Sequence, residues 1–171
     1  MIRIVSANEE HAQLLAGLSK LTFHESHGHS AAEEDINNFV LEKYNADTLK
    51  TELKDEKNVF HLLYYNNKIA GFSKIIYNFP DANCNIDNIT KLERIYLLKE
   101  FYGLNLGQQL LEFNISLIKE NKQAGVWLFV WTENQRAINF YLKNGFRVIG
   151  SFQYKISETH SNPNYQMLLS F

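Results

Sequence analysis

The feature that most constrains the fold is a short glycine-bearing loop between a β-rich run and a helical run, in the segment LKEFYGLNLGQQLLEF at residues 98–113. Gly103, Asn105 and Gly107 occupy alternate positions there, and glycine and asparagine adopt positive φ angles more readily than other residues. Such a loop folds its N–H groups inward, and the helix that follows adds the positive end of its dipole. The segment predicts a strand, an anion-binding turn and a helix, although the loop alone fits a plain strand-to-helix turn equally well.

Composition fits one globular domain over residues 1–171. The chain is 45% hydrophobic and has one cysteine, Cys84, which excludes an intramolecular disulfide. Residues 1–5, MIRIV, lack the pattern of an export signal, so we expect a cytoplasmic protein. No apolar run approaches the ~20 residues that span a bilayer, and the net charge of −2 gives no broad basic surface. We therefore expect neither a membrane nor a nucleic-acid partner.

The first third of the chain is predicted to form one strand, at residues 2–5, followed by helices. Two capping-box signatures, Ser6 with Glu9 and Ser30 with Glu33, predict two helix starts. The apolar faces predicted for these helices are Leu14, Leu15, Leu18 and Leu21 for the first, and Ile36, Phe39, Val40 and Tyr44 for the second. Ala46, Leu49 and Leu53 indicate further helical turns.

The remainder alternates between strands and helices. Asn66 and Asn67 separate two β-rich runs and suit a tight antiparallel hairpin. The run KLERIYLL predicts a strand before the glycine loop, and VWLFVW, at 126–131, predicts a buried strand. The predicted helices cover 107–121 and 134–144, the second ending at Gly145, and the last strands are FRVIGSF and YQMLLSF.

A second motif, which follows the glycine loop in the chain, indicates which family the loop belongs to. In NQRAINFYLKNGF, at 134–146, Asn134, Ala137, Phe140, Tyr141 and the Gly145-Phe146 pair form a recognisable frame. Here the chain resembles the GNAT superfamily of acyl-CoA-dependent N-acyltransferases, whose members carry a strand, a Q/R-x-x-G-x-G/A loop and, after another strand, an N-x-x-A-x-x-F-Y-x-x-x-G-F helix. The resemblance implies a mixed α/β fold with a mostly antiparallel central sheet, a splayed parallel strand pair and helices on both faces.

The resemblance also implies a coenzyme A site. The family's pyrophosphate loop falls on Tyr102, Gly103, Leu104, Asn105, Leu106 and Gly107, and the strand before it implies that Ile95, Tyr96 and Leu97 line the acyl chain. Asn134 is implied both as a helix cap and as a contact to acetyl-CoA, the co-substrate. Two positions depart from the pattern: Asn105 replaces the usual glycine, and Tyr102 replaces the usual Gln or Arg. We expect somewhat weaker cofactor binding through a surviving backbone cradle.

Two residues are candidates for acid–base chemistry. Tyr141 matches the family's general acid, since a phenol with a pKa of ~10 is protonated at neutral pH and can donate to a thiolate; by itself a Phe-Tyr pair is more often core packing. Deprotonating a primary amine of pKa ~10.4 at pH 7 costs about 4.6 kcal/mol. Glu93 is predicted to share a strand face with Ile95 and Leu97 and to accept that proton, directly or through water. The alternative for Glu93 is an ion pair with a neighbouring Lys or Arg.

The acceptor region is predicted from acidic residues near the first helices. The segments LERIYLLKEF, VWLFVWTENQRAINFY and TFHESH are similar to the PaiA-like polyamine N-acetyltransferases, which implies spermidine or spermine as acceptor. The candidate acceptor-binding residues are Glu25, Glu33, Glu34, Asp35 and His24. A solvated helix face whose first-turn acids complement the dipole explains the three acids at 33–35 equally well. His24, His27 and His29 do not complete a metal set, so no metal is expected and a place in a loop or in the acceptor pocket is favoured.

The sequence leaves other functions open. The same cofactor half would serve acetylation of a protein N-terminus, a lysine or an aminoglycoside, and a non-catalytic acyl-CoA sensor would also retain the fold. A dinucleotide-binding domain is excluded because G-x-G-x-x-G with an acidic residue ~20 positions later is missing. The terminal strands make a homodimer plausible.

Overall fold

One seven-stranded sheet runs through the structure, a computed structural model that describes residues 1–171. The strands are β1 (Ile2–Ser6), β2 (Asn58–Tyr65), β3 (Lys68–Ile76), β4 (Ile89–Leu97), β5 (Gly125–Trp131), β6 (Arg147–Lys155) and β7 (Ser161–Ser170). The helices are α1 (Ala12–His27), α2 (Glu33–Lys43), α3 (Ala46–Lys54), α4 (Leu106–Glu120) and α5 (Gln135–Lys143). None of these helices combines the length and apolar character needed to cross a membrane.

The strand order, β1-β2-β3-β4-β5-β7-β6, contains a single parallel pair, β4 with β5. This pair is short, because only Ile89, Thr90 and Lys91 of β4 have partners on β5. Beyond Lys91 the two strands separate, while β4 stays paired with β3 and β5 stays paired with β7. The predicted fold, including the splayed parallel pair, is confirmed.

Helices cover both faces of the sheet and divide the core in two. Helices α1, α2 and α3 pack on one face in a cluster that includes Leu15, Ile36 and Phe72. On the opposite face α4 and α5 pack in a second cluster, which includes Leu111 and Val130. The centre of the sheet is therefore covered on both faces.

The hairpin and the last helix follow the sequence prediction. Asn66 and Asn67 form the two-residue turn between β2 and β3 with φ angles of 48° and 63°, which is the positive-φ pair that such hairpins require. Asn134 caps α5 by accepting a hydrogen bond from the Ala137 N–H at 3.2 Å. Both features are confirmed.

Both predicted capping boxes are wrong. Ser6 ends β1, and the first helical turn is capped instead by Asn8, whose side chain accepts from the Glu10 N–H at 3.1 Å. Ser30 does not cap α2, because its hydroxyl accepts a hydrogen bond from the Asn162 amide at 2.8 Å. Ser30 thus ties the entrance of α2 to β7.

The predicted apolar face of α1 is also partly wrong. Leu14 and Leu21 are 38% and 51% exposed, whereas Leu15 is fully buried. The buried stripe instead uses small residues such as Ala16 and Ser19. Small side chains on this stripe let α1 pack closely against α3.

A β-bulge interrupts β4 at Glu93. Ile75 of β3 pairs with Leu92, but the preceding residue, Lys74, pairs with Arg94, which leaves Glu93 as the extra residue. A bulge changes the alternation of side chains along a strand. The prediction that Glu93 shares a face with Ile95 is therefore wrong: its carboxylate contacts Lys74, on the face covered by α1–α3.

A buried ion network joins α3 to this part of the sheet. The carboxylate of Glu52 accepts two hydrogen bonds from the Arg94 guanidinium, at 2.9 and 3.0 Å, and one from the Lys74 ammonium at 2.9 Å. The two cationic side chains are each only 5% exposed. Burial alone raises the pKa of Glu52, but Arg94 and Lys74 outweigh it and hold the pKa below its usual value.

Replacing the central carboxylate should destabilise the protein. Glu52→Gln leaves Lys74 and Arg94 with a neutral partner, so we expect the free energy of unfolding to fall by about 2–4 kcal/mol. Urea denaturation followed by circular dichroism measures this. The control is Glu56→Gln, on an exposed residue of the same segment, and equal stabilities for the two variants would contradict the account.

Candidate active site

A cleft of about 160 Å³ opens between β4 and β5 where the strands separate. Residues from both faces of the sheet line it. On the α4–α5 side the lining includes Ile95, Tyr102 and Tyr141, and on the α1–α3 side it includes Phe23 and Tyr44. The cleft is thus lined from both faces of the sheet.

The loop before α4 carries a set of unused hydrogen-bond donors. None of the backbone N–H groups from Gly103 to Gln108 donates a hydrogen bond within the chain. Gly103 has φ +81° and nothing within 4 Å of the place a Cβ would occupy, and Asn105 is left-handed at φ 60°. These N–H groups lie at the positive end of a fifteen-residue helix, so the loop suits an anion such as a diphosphate.

The side chains of the loop contribute less than its backbone. Leu106 is 1% exposed and packs in the core, whereas Leu104 is 44% exposed. A Cβ built on Gly107 would lie 3.6 Å from a side-chain carbon of Leu97, which is an ordinary van der Waals contact. The cradle is therefore formed by main-chain groups.

An arginine from α5 lies over the tyrosine that departs from the family pattern. The guanidinium carbon of Arg136 is 3.7 Å from the centre of the Tyr102 ring, and both residues line the cleft. This stacking holds a permanent positive charge beside the anion-binding loop. Arg136 was not predicted as a site residue from the sequence, although its position two residues after Asn134 could have indicated that it lies near the cofactor loop.

Tyr141 lies in the wall of the same half of the cleft. Its ring packs in the α4–α5 core near Phe146 and Phe140, with the residue 8% exposed. The hydroxyl has no hydrogen-bond partner within the chain. Burial, helped by Tyr96, raises the pKa of Tyr141 above its ordinary value of 10.0. The phenol therefore keeps its proton throughout the neutral range and is free to donate it.

The other predicted cofactor residues also meet here. Ile95, Tyr96, Leu97 and Asn134 line the cleft together with Tyr141. Tyr96 pairs with Phe72 and so faces α1, the opposite side from Ile95. The β4 segment thus presents side chains to both halves of the cleft, and its edge toward β5 has no strand partner.

Glu93 lines the cleft but is held in an ion pair. Its carboxylate contacts the Lys74 ammonium, and Lys91 lies 3.6 Å away. Burial raises the pKa of Glu93, but Lys74 and Arg94 outweigh this and lower the pKa to about 2. A carboxylate with this pKa is a weak proton acceptor.

The acids predicted to bind the acceptor lie elsewhere. Glu33, Glu34 and Asp35 form the first turn of α2, and none of them lines the cleft. Glu25 accepts a hydrogen bond from the Lys99 N–H at 2.9 Å, and His24 is exposed on α1. The structure therefore does not bring these residues to the cleft, and complementing the helix dipole explains the three acids of α2.

Aromatic residues form the α1–α3 half instead, and of these only Tyr96, to the cofactor, and His27, to a loop or the acceptor pocket, were assigned from the sequence. The members of this wall are Phe23, His27, Tyr44, Tyr96, Phe129, Trp131 and Tyr154. His27 stacks on Phe23 at 5.0 Å and lies 5.5 Å from Trp131. The alternation of β5 was a signal for Phe129 and Trp131, since period two places them on one face.

Burial fixes the protonation state of His27. Desolvation, together with the neighbouring His29, lowers the pKa of His27 from 6.5 to about 4. The imidazole is therefore neutral at pH 7, and its Nδ1 lies 2.6 Å from the Ser26 hydroxyl. No three His, Cys, Asp or Glu side chains come together in a metal-binding arrangement.

Comparison with known proteins identifies the family. Residues 18–146 match the Acetyltransferase (GNAT) family. A relative from Lactobacillus delbrueckii subsp. lactis, described as an uncharacterized N-acetyltransferase in the pepI 3' region, is 33% identical over 146 residues, which are 84% of this chain and 83% of the relative. The chain belongs to the GNAT acetyltransferase family. It is an N-acetyltransferase, and acetyl-CoA is its acetyl donor.

Two further matches come from Thermoplasma acidophilum. A spermidine N(1)-acetyltransferase is 27% identical over 117 residues, 68% of this chain and 70% of the relative. The crystal structure of PaiA N-acetyltransferase in complex with coenzyme A has a TM-score of 0.78 at 21% identity, covering 100% of this chain and 99% of that one. The second match establishes the shared GNAT fold.

The buried histidine makes the stability of this GNAT enzyme depend on pH. Because the folded-state pKa of His27 is depressed to about 4, its contribution is complete above pH ~6.5 and is lost as pH falls toward 4. In His27→Phe, the loss of unfolding free energy between pH 7 and pH 5 should be smaller by up to about 2 kcal/mol. Urea denaturation at both pH values measures it, and His24→Phe, on the exposed side of the same helix, is the control. An unchanged loss in His27→Phe would contradict the assignment.

Proposed function

We propose that this protein is a cytoplasmic enzyme that moves an acetyl group from acetyl-CoA directly to the primary amine of a small molecule within a ternary complex. The observation that carries the proposal is that one cleft brings together the Tyr141 phenol, an aromatic wall and Tyr102, and that Tyr102 immediately precedes the loop of unused N–H groups. A cleft lined from both faces of the sheet lets donor and acceptor approach the reacting carbon from opposite sides, as direct attack requires.

The cradle at residues 103–108 is proposed to bind the diphosphate of coenzyme A. Its free N–H groups and the α4 dipole supply the attraction. Arg136, held on Tyr102, supplies a cation close to the position where the family carries Gln or Arg. The substitution at Tyr102 is thereby offset by a charge from the neighbouring helix.

The pantetheine arm is proposed to lie along the free edge of β4. Ile95 and Leu97 give it an apolar wall, and unpaired backbone groups of the strand give it hydrogen bonds. An N–H of this edge can hold the thioester oxygen and stabilise the charge that develops on it during attack. Asn134 adds a polar contact at the end of the cleft nearest α5.

Tyr141 is proposed as the general acid. When the amine attacks, the C–N bond forms, the C–S bond breaks and the electron pair leaves with the sulfur, which then takes the phenolic proton. The raised pKa of Tyr141 keeps that proton in place before the reaction. We assign removal of the amine proton to solvent, because the ion pair with Lys74 makes Glu93 a weak base.

A polyamine is the acceptor suggested by the relatives. Spermidine appears in the description of one relative, and the PaiA protein is a structural neighbour. The acids expected to attract a polycation do not line the cleft, so support for spermidine or spermine comes from these relatives alone.

Removing the phenolic hydroxyl tests both catalysis and the sensor alternative. In Tyr141→Phe we expect kcat to fall about a hundredfold while the affinity for acetyl-CoA is retained. Thiol release measures turnover, and calorimetry measures binding. Tyr165→Phe, on a tyrosine outside the cleft, should behave as wild type. Full activity in Tyr141→Phe would rule out its role as the acid.

A further inference from the structure

The α1–α3 half of the cleft, where we place the acceptor and which is called the acceptor half below, contains more positive than negative charge. Its charged lining residues are Lys43, Lys91, Glu93 and Arg94. Directly behind them lie Lys74 and Glu52, which complete the buried network. Even with these two included, cations outnumber carboxylates. A second ammonium, such as a polyamine carries, would be repelled here.

The carboxylates of this network are already committed. Glu52 binds Arg94 and Lys74, and the Glu93 carboxylate contacts Lys74. Breaking either contact to bind a substrate ammonium would leave a buried cation unpaired, which is costly. The network therefore offers little to a cationic ligand.

Lys91 is a largely buried cation whose one carboxylate contact is long. It stands at the last pair between β4 and β5, at the base of the cleft, with its side chain 16% exposed. Its nearest carboxylate oxygen, on Glu93, is 3.6 Å away, beyond a direct hydrogen bond. Otherwise it lies over the rings of Phe79, Trp127 and Phe129, at 5.2, 5.1 and 5.5 Å. Apart from this long contact to Glu93, the Lys91 ammonium has no anionic partner within the chain.

Lys43 adds a second cation, and this one has no carboxylate partner. It lies at the end of α2, with its ammonium 6.0 Å above the Tyr154 ring and no ion pair within the chain. Lys43 is exposed, whereas Lys91 is largely buried. The two therefore place positive charge at the mouth and at the base of the acceptor half.

The walls between these cations are aromatic. Phe23, His27 and Trp131 form a connected stack, and Tyr154 lies on the side of β6. These rings contact one another and all line the cleft, so together they form an apolar wall against which a planar ring can be buried.

We propose, building on the function above, that the acceptor is a primary amine that also carries an aromatic ring and an anionic group, the chemistry of an aromatic amino acid or a close derivative. The Lys91 ammonium binds the anionic group, and the aromatic wall holds the ring. The surrounding positive charge also disfavours the protonated form of the substrate amine. A neutral nucleophile is then available without a strong protein base.

A comparison of turnover with different amine acceptors tests the proposed acceptor chemistry directly. The full-length enzyme with acetyl-CoA is given phenylalanine, tyrosine and tryptophan, the decarboxylated amines phenethylamine, tyramine and tryptamine, and spermidine. We expect kcat/KM to be highest for the amino acids and lower by about tenfold or more for the amines that lack the carboxylate. Spermidine should be the poorest acceptor. Spermidine as the best acceptor, or no turnover of any aromatic amine, would overturn the proposal.

Substitution of the lysines separates charge recognition from structure. Lys91→Met should lower kcat/KM for the amino acids about tenfold, chiefly through KM, and should change the decarboxylated amines little. Lys43→Gln, on an exposed side chain, should act in the same direction and decides the matter if Lys91→Met does not fold. Lys50→Gln, on exposed α3, is the control. An equal loss for both acceptor classes would overturn the proposal.

The proposed function and the inferred acceptor chemistry are contradicted by different results. If acetyl-CoA does not bind in calorimetry, the cofactor site itself is wrong. If acetyl-CoA binds and spermidine alone is acetylated, the enzyme function stands and the inferred acceptor chemistry falls.

Discussion

The site depends on the early end of pairing between β4 and β5. Three residue pairs hold these strands together at Ile89, Thr90 and Lys91, and no ladder continues beyond them. Each strand keeps its other neighbour, so the sheet stays intact around the opening. The unpaired edge of β4 would be costly if it were buried without partners, and the cleft keeps it available to a ligand. The binding surface is thus a consequence of how the sheet is built.

The bulge at Glu93 determines what each half of the cleft presents. Without the extra residue, strand alternation would place Glu93 on the α4–α5 side with Ile95. With it, Glu93 joins Lys74, Arg94 and Glu52 on the other side. The donor half is left with apolar walls and a protonated tyrosine, and the acceptor half receives the charges. One inserted residue thus places the Glu93 carboxylate on the opposite side of the sheet from Ile95.

The fold and the donor half were largely predictable from sequence. The loop at 103–107 and the frame from Asn134 to Phe146 depend on local conformation and on short spacing, so both can be recognised in the sequence. The hairpin at Asn66-Asn67 can be recognised for the same reason, since two asparagines with positive φ define the turn.

The acceptor half could not be predicted in the same way. Its lining comes from α1, α2, β4, β5, β6 and β7, and no local pattern indicates that His27, Lys43, Lys91 and Tyr154 meet. The strand period misplaced Glu93 because a bulge leaves no clear sequence signal. The capping boxes failed because Asn8 and a contact from Ser30 to Asn162 satisfied those positions differently.

The central claim is that main-chain N–H groups at residues 103–108 bind the diphosphate of coenzyme A. Titration of the ¹⁵N-labelled protein with coenzyme A, followed by amide resonances, tests it most directly. We expect saturable chemical-shift changes that are largest at the amides of Gly103 to Gln108. With pantetheine, which lacks the diphosphate, the changes at these amides should be much smaller. Saturable binding of coenzyme A that leaves these amides unmoved would contradict it.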